Sequence, residues 1–275
     1  MHRGQINPMF AHLPHRGVVA ILGADRVAFL NGLVSNDVAL AAPGRAVWAA
    51  MLSPQGRYLT DFFIFHDEDR LLLDAPREAI PDLIKRLSRY RLRSDVTLAD
   101  VSETLHVYAA WHGLPAEIPL TAPDPRHRDA GTRSLSETIL PADATAVSYN
   151  AHRITLGLPD GPPDLEPEKT LLLEAGFDEL NGIDWQKGCY MGQELTARTK
   201  YRGLVKRRLT PVTLESSAPP PGTPILAEGA EVGTIRSSAG ALALAMLRID
   251  ALAKPLIAGS SLVTLTKLDW MNLTP

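Results

Sequence analysis

Cysteine is almost missing from this chain: Cys189 is the only one in 275 residues. No intrachain disulfide can form, so stability has to come from packing, which suits a reducing compartment. Protein thiolates of this chain alone cannot hold a zinc ion or an iron–sulfur cluster, because such sites take several ligands. Long apolar runs are missing too, and none approaches the roughly 20 residues that cross a bilayer. The opening Met1-His2-Arg3-Gly4-Gln5-Ile6-Asn7-Pro8 lacks the apolar core of a secretion signal. A cytoplasmic protein with no membrane partner is the expectation. The net charge is only −3, which argues against bulk binding to nucleic acid. His12, His15, His66, His106, His112, His127 and His152 are scattered without ligand spacing, so no metal site is expected.

What is present is ordinary for a globular protein: 45% apolar and 21% charged residues. The length suits one large domain or two of common size. Residues Asp25 to Val38 read as a helix, with Phe29, Leu30, Leu33 and Val34 at helical spacing and Asp25 placed to cap it. Val47 to Leu52 and Tyr58 to Phe65 read as strands joined by the turn Ser53-Pro54-Gln55-Gly56. Leu71 to Asp74 is a short strand. Pro81 to Tyr90 is a helix with Leu83, Ile84, Leu87 and Tyr90 on one face. Val96 to Val101 and Leu105 to Trp111 are strand-like. Pro, Asp, Arg, His and Gly dominate from Pro115 to Arg133, which reads as surface loop, and Gly157 to Glu168 is a second such connection. Helices are expected over Thr170 to Leu180 and Gln193 to Arg202. Beyond Lys206, four short segments separated by Gly, Ser and Pro (Leu209 to Leu214, Glu231 to Arg236, Ala241 to Leu247, Leu262 to Leu268) have the pattern of a small all-β module. The expected division is 1–205 and 206–275.

The chemistry concentrates around the cysteine. Cys189 sits between Gly188 and Gly192, beside Lys187, with Gln193 and Glu194 following. The thiolate is the reactive form, and cations and backbone N–H groups favour it. Glycines allow positive φ and close approach of a ligand. A buried, inert cysteine is the competing reading, because free Cys often packs as a small hydrophobe. Downstream, Arg198, Lys200, Arg202, Lys206, Arg207 and Arg208 crowd one segment. They suit a solvated face, an anionic tail, or an acidic or RNA partner. Only Tyr201 is interleaved with them, so direct RNA binding is not expected.

The octet Lys187 to Glu194 resembles the K-G-C-Y-x-G-Q-E signature of the YgfZ family, the folate-binding relatives of the glycine cleavage T-protein. Supporting segments are Phe29 to Val38, Leu52 to Arg57 with Asp61, Leu172 to Glu174 through Asn181 to Asp184, and Gly233 to Ser238. The resemblance covers nearly the whole chain, except Pro115 to Arg133. It implies an α+β, aminomethyltransferase-like folate-binding module around a central cavity, followed by a small C-terminal β-barrel. It also implies tetrahydrofolate or a derivative as cofactor, and iron–sulfur client proteins or cluster carriers as partners. Tasks linked to the family include upkeep of radical enzymes that modify tRNA.

By that resemblance Cys189 is the key functional residue. Asp61, an acid in an apolar strand, matches the T-protein's catalytic aspartate, and Glu174 matches an acid that contacts the pterin. An Asp on a solvated strand face and a Glu on an exposed helix are the competing readings. Lys187, Tyr190, Gln193 and Glu194 join them as candidate ligand-binding residues, with Arg198 and Arg202 for the glutamate tail. Glu194 and Gln193 equally suit a helix start, and Tyr190 a cavity wall or a surface. Three functions stay open: an iron–sulfur accessory factor that does not itself turn over, a folate-dependent aminomethyl transferase, and a non-catalytic folate sensor or scaffold.

Overall fold

The computed structural model describes residues 8–113 and 118–272, so most of the opening octapeptide and part of the Pro115–Arg133 loop lie outside the described residues. The chain forms two compact units. One holds Met1–Gly32, Asn36–Ala49 and Phe62–Tyr149; the other holds Leu33–Ser35, Ala50–Asp61 and Asn150–Pro275.

In the first unit β1 (Met9–His12), β2 (Arg16–Leu22) and α1 (Arg26–Asn31) lead into β3 (Val47–Leu52), β4 (Tyr58–Asp67) and β5 (Arg70–Pro76). The chain passes to the second unit after Ala49 in β3 and returns after Asp61 in β4. Helix α2 (Ile80–Arg91), β6 (Thr97–Asp100), β7 (His106–Trp111), β8 (Leu120–Pro123), β9 (Thr132–Ser136) and α3 (Ala146–Thr155) follow. The strands make a five-stranded sheet in the order β3-β4-β5-β2-β6 and a four-stranded sheet in the order β1-β7-β9-β8. Strands β2, β4 and β5 are buried on both faces over most of their length, which is why they read as continuous apolar runs rather than alternating ones. Helix α2 starts with Pro81 in its first turn and buries Ile80, Leu83 and Leu87, while Tyr90, expected on the same face, is exposed.

An ionic network lies inside this unit. Arg16 donates to Asp74 through Nε and, through Nη2, to the Asp74 carbonyl at 2.7 Å. Arg133 donates to Asp74 at 2.7 Å, to the Tyr149 hydroxyl at 2.6 Å and to Asp124 at 3.3 Å. Arg126 donates to both Asp124 oxygens at 3.0 and 2.6 Å. The Arg133 guanidinium lies 3.8 Å from the Phe63 ring centroid. Burial by itself would raise the Asp124 pKa, but Arg126 and Arg133 overcome it and hold the carboxyl below the usual range.

In the second unit α4 (Gln193–Tyr201) precedes six strands: β10 (Arg207–Leu214), β11 (Pro224–Ala227), β12 (Ala230–Ala239), β13 (Leu242–Arg248), β14 (Leu256–Ala258) and β15 (Ser261–Leu265). They close into a barrel in the order β10-β13-β12-β11-β14-β15, packed around Val212, Ile225, Ile235, Ala245, Leu247 and Val263. Register shifts in β11 and β12 provide the local bending that small barrels need. Arg153 ties the barrel to the Gly157–Glu168 connection, donating to Asp164 at 2.6 Å and to Ser237 at 2.9 Å.

Three expected elements change. The helix from Asp25 stops at Asn31, because Ser35 instead exchanges hydrogen bonds with Ala50 and Gly182. Asp25 sits at the N-cap, but its carboxylate accepts from the Asp95 N–H. The helix expected over Thr170 to Leu180 is only a 3₁₀ turn, Leu172–Ala175, closed by Gly176 at φ +76°. The Pro115–Arg133 loop contains β8, and both Arg126 and Arg133 are buried. Composition marks such a segment as solvated because it cannot show that the arginines have acids waiting for them.

Candidate functional site around Cys189

All nine candidate residues fall in the second unit. The β3–β4 turn organises them. Gly56 N–H donates to the Ser53 carbonyl at 2.8 Å, closing the turn. Gly192 of the cysteine segment packs directly on it: a Cβ there would lie 2.6 Å from the Ser53 oxygen and 3.0 Å from the Gly56 Cα, and its φ is +80°. No side chain fits, so this glycine is demanded twice, by backbone conformation and by close approach. Gly188 differs. Its φ is +94°, and a Cβ there would meet nothing within 4 Å, so only conformation calls for glycine.

Beyond the turn, Tyr58 N–H donates to the Thr170 carbonyl at 3.0 Å, and Glu168 N–H to the Tyr58 carbonyl at 2.7 Å. Arg57 reaches the Lys169 carbonyl at 2.7 Å. The hairpin thus joins the strand of Asp61 to the turn of Glu174.

Asp61 is 1% exposed, and the buried Tyr58 hydroxyl donates to it at 2.7 Å. Since β4 is buried on both faces here, the solvated-face reading of Asp61 does not hold. Glu174 is half-buried and accepts weakly from the Leu171 N–H at 3.3 Å. Burial raises its pKa, against the pull of that N–H and of the Arg207 and Arg57 charges. Thr60 Oγ1 and the Tyr190 hydroxyl are buried without hydrogen bonds.

The cysteine loop is held from several sides. Asp184 accepts from the N–H groups of Gln186 and Lys187 at 2.6 and 3.0 Å, an Asx turn. Lys187 Nζ donates to the Val34 carbonyl at 2.9 Å and lies 5.0 Å from the Tyr190 ring centroid. Gln193 Oε1 accepts from the Tyr190 N–H at 3.1 Å. Tyr190 is buried, and desolvation pushes its hydroxyl up to about 12, with Thr196 as a polar neighbour pulling the other way. Lys187, Tyr190 and Gln193 therefore brace the loop. What the brace leaves outside is the thiol: Cys189 is exposed, so it is not a packed hydrophobe. Glu194, in the first turn of α4, and Arg198 and Arg202 are exposed as well.

Sequence reasoning missed Tyr58, Arg57, Asp184 and the Trp185–Asp178 bond of 2.7 Å. Asp184 was findable, since an Asp two and three residues before a Gly-flanked loop is an Asx-turn pattern. Tyr58 was not, because residues three apart on an ideal strand point to opposite faces. A cleft of about 680 Å³ in the first unit, bordered by Phe65, His66, Arg70, Leu135 and Glu137, contains none of the expected site residues.

No helix among the described residues is long and apolar enough to cross a membrane. The fold resembles the glycine cleavage system aminomethyltransferase T from Bartonella henselae, with TM-score 0.74 and 14% identity, over 96% of this chain and 86% of that one. The aminomethyltransferase-like architecture followed by a barrel is thus the one expected. Residues 206–273 match the family described as CAF17, C-terminal beta-barrel domain. The mitochondrial iron–sulfur cluster assembly factor IBA57 of Mus musculus is 33% identical, over 94% of this chain and 84% of its own length. The protein of the same name from Homo sapiens is 33% identical, over 89% and 78%. The IBA57 homolog of Mycosarcoma maydis is 39% identical over 77% of this chain, which spans 58% of that protein's length. With two relatives matched over most of both lengths, the chain belongs to the family of the iron–sulfur cluster assembly factor IBA57.

Proposed function

We propose that this protein is an iron–sulfur cluster assembly factor that binds tetrahydrofolate and presents Cys189 to a cluster or sulfur donor held by another protein. The observation that carries the proposal is the contrast between a braced loop and an exposed thiol at its apex. A lone thiol cannot complete a cluster site, so the cluster is cargo and the remaining ligands come from a partner. The relatives are assembly factors by name, and the YgfZ resemblance adds the folate. Their names also place them in mitochondria. The proposal for this chain asks only for a reducing compartment, the cytoplasm being the one its sequence suggests.

The residues fit a folate in type. The pterin edge needs hydrogen-bonding carboxyl groups, which Asp61 and Glu174 supply, the latter made readier to hold a proton by its burial. The unbonded Thr60 and Tyr190 hydroxyls offer further polar contacts. When bound, the folate supplies one-carbon or reducing chemistry. This chain's residues bind and orient it.

Two measurements test the reading. In cells lacking the protein, Cys189→Ser should fail to restore cluster-dependent enzyme activities at wild-type protein levels, and full rescue would sink the role of the thiol. Anaerobic calorimetry should show saturable tetrahydrofolate binding that Asp61→Asn weakens at least about tenfold, the loss expected when a charged hydrogen-bond partner goes. No binding by the wild type would remove folate from the proposal. The buried acid Asp61 favours a second reading, an aminomethyl transferase. Turnover with an aminomethylated lipoyl carrier and tetrahydrofolate would establish it, and no turnover would remove it.

A further inference from the structure

Helix α4 and the turn behind it carry charge that neither the fold nor the folate reading uses. The side chains of Arg198, Arg202 and Lys206 are exposed and make no hydrogen bond or ion pair among the described residues. Lys200, in the same run, is spent: it pairs with Asp178 at 3.0 Å and lies 4.1 Å from the Trp185 ring centroid. Arg198 and Arg202 are four residues apart and share a helix face, where like charges repel and cost helix stability. Bases near a helix C-terminus suit its dipole, which accounts for Arg198 and for Arg202 at the C-cap. Lys206 lies beyond the helix and falls outside that explanation.

Two apolar groups stand among these charges. Tyr201 is 77% exposed, with its ring 6.3 Å from that of Trp185. Leu204 is 46% exposed. Its presentation is fixed by the helix end: Gly203 N–H donates to the Lys200 carbonyl at 3.2 Å and Leu204 N–H to the Thr199 carbonyl at 3.1 Å, the paired bonds of a Schellman motif. On a chain of net charge −3, three unpaired cations around an exposed Tyr and Leu form a local exception.

We infer that the exposed residues Arg198, Tyr201, Arg202, Leu204 and Lys206, at the C-terminal end of the helix that follows Cys189, dock an acidic segment of a partner protein. Arginine and tyrosine are the common anchors of protein interfaces, and opposite charge steers the partner into register. Single-stranded RNA matches less well. It needs several open ring faces for stacking, whereas Trp185 already carries the Lys200 ammonium, which leaves Tyr201 alone to stack, and Leu204 has no counterpart on a base. The docking depends on the Cys189 reading for its purpose but not for its existence.

The test uses the full chain and fluorescence anisotropy with two labelled probes. One is a peptide of about ten residues, Glu and Asp around a central Leu; the other is an oligouridylate of similar length and charge. The expected result is saturable, salt-sensitive peptide binding, tighter than that of the oligouridylate. Arg202→Glu with Lys206→Glu should weaken it at least about tenfold, and Tyr201→Ala about threefold or more. Arg198→Glu should also weaken it; an acid four residues before Arg202 offsets part of the cost of losing a base near the helix C-terminus, and thermal unfolding of the variant separates a folding defect from lost docking. Cys189→Ser should bind like wild type. Tighter binding of the oligouridylate, no saturable peptide binding, or indifference to Tyr201→Ala or the double reversal would overturn the inference. Failure of the thiol's role would show separately, as rescue of cells by Cys189→Ser.

Discussion

Two groups of arginines do opposite things: Arg16, Arg126 and Arg133 of the first unit are interior, as are Arg153 and Arg208 of the second, whereas Arg198 and Arg202 of the second are not. In the first unit Arg16, Arg126 and Arg133 are buried, and each is matched to Asp74 or Asp124. In the second, Arg198 and Arg202 stand in solvent without partners among the described residues. The sequence shows the reverse emphasis: the bases of the second unit form a conspicuous run, and Arg126 and Arg133 lie in a segment that looks like loop. Desolvation explains the difference. A buried guanidinium survives only where an acid is held against it, by the fold for Arg16 and Arg133 with Asp74 or by a local turn for Arg126 with Asp124. Within the basic run Arg208 is buried against the Leu173 carbonyl and Glu179, and bases without such partners stay at the surface.

The comparison breaks most sharply at Arg133. Arg133→Met would leave Asp74 and Asp124 short of hydrogen bonds in a dry interior and should cost about 3–5 kcal/mol by urea unfolding. Removal of an exposed base, as in Arg202→Met, should stay within about 0.5 kcal/mol. Equal losses at both positions would end the distinction.

The next effect is at the glycines of the cysteine loop. Gly192→Ala should cost about 2–4 kcal/mol, from positive φ and contact with the Ser53 carbonyl together. Gly188→Ala meets open space and should cost only about 1–2 kcal/mol. Thermal unfolding of the two variants side by side checks this, and the reverse order would count against the packing of Gly192 on the hairpin turn. Cys189→Ser should move stability by less than about 0.5 kcal/mol, because the thiol is exposed. A larger loss would mean that the thiol is structural.

The smallest effect is also the most discriminating, since it opposes one carboxylate of each unit. The folded-state pKa of Asp124 is lowered. Its contribution to stability is present above the unfolded value of about 3.9 and is lost as pH falls through the folded one. The pKa of Glu174 is raised, chiefly by burial. Its contribution is present below the unfolded value of about 4.3 and is lost as pH rises through the folded one. Glu174→Gln should therefore be no less stable than wild type at pH 7, with the difference vanishing in acid. Unfolding curves across pH 3 to 7 decide it. A variant less stable at neutral pH would show that the Glu174 charge is used in the fold.

Much of the site was legible because its parts are local. The octet Lys187 to Glu194, the turn Ser53 to Gly56 and the helix after Gly192 are set by neighbouring residues, and glycine marks the places where the backbone needs positive φ. The two short barrel strands Pro224–Ala227 and Leu256–Ala258 were not legible. Segments of four and three residues carry too little pattern, and it is ladder pairing with β12 and β15 that makes them strands. The helix expected to run through Leu33 and Val34 failed for a related reason. Its apolar spacing is genuine, yet Ser35 and Val34 are captured by β3.

The sequence by itself determined the aminomethyltransferase-like fold class, the barrel's general character and the position of the one thiol, because motif spacing and a unique cysteine need no partners to be recognised. The tertiary structure alone decided that Cys189 is exposed, that Asp61 is held by Tyr58, and that Arg133 is interior. Each of those depends on burial and on groups far apart in the chain. Burial and charge pairing are properties of the packed fold, and no local pattern encodes them.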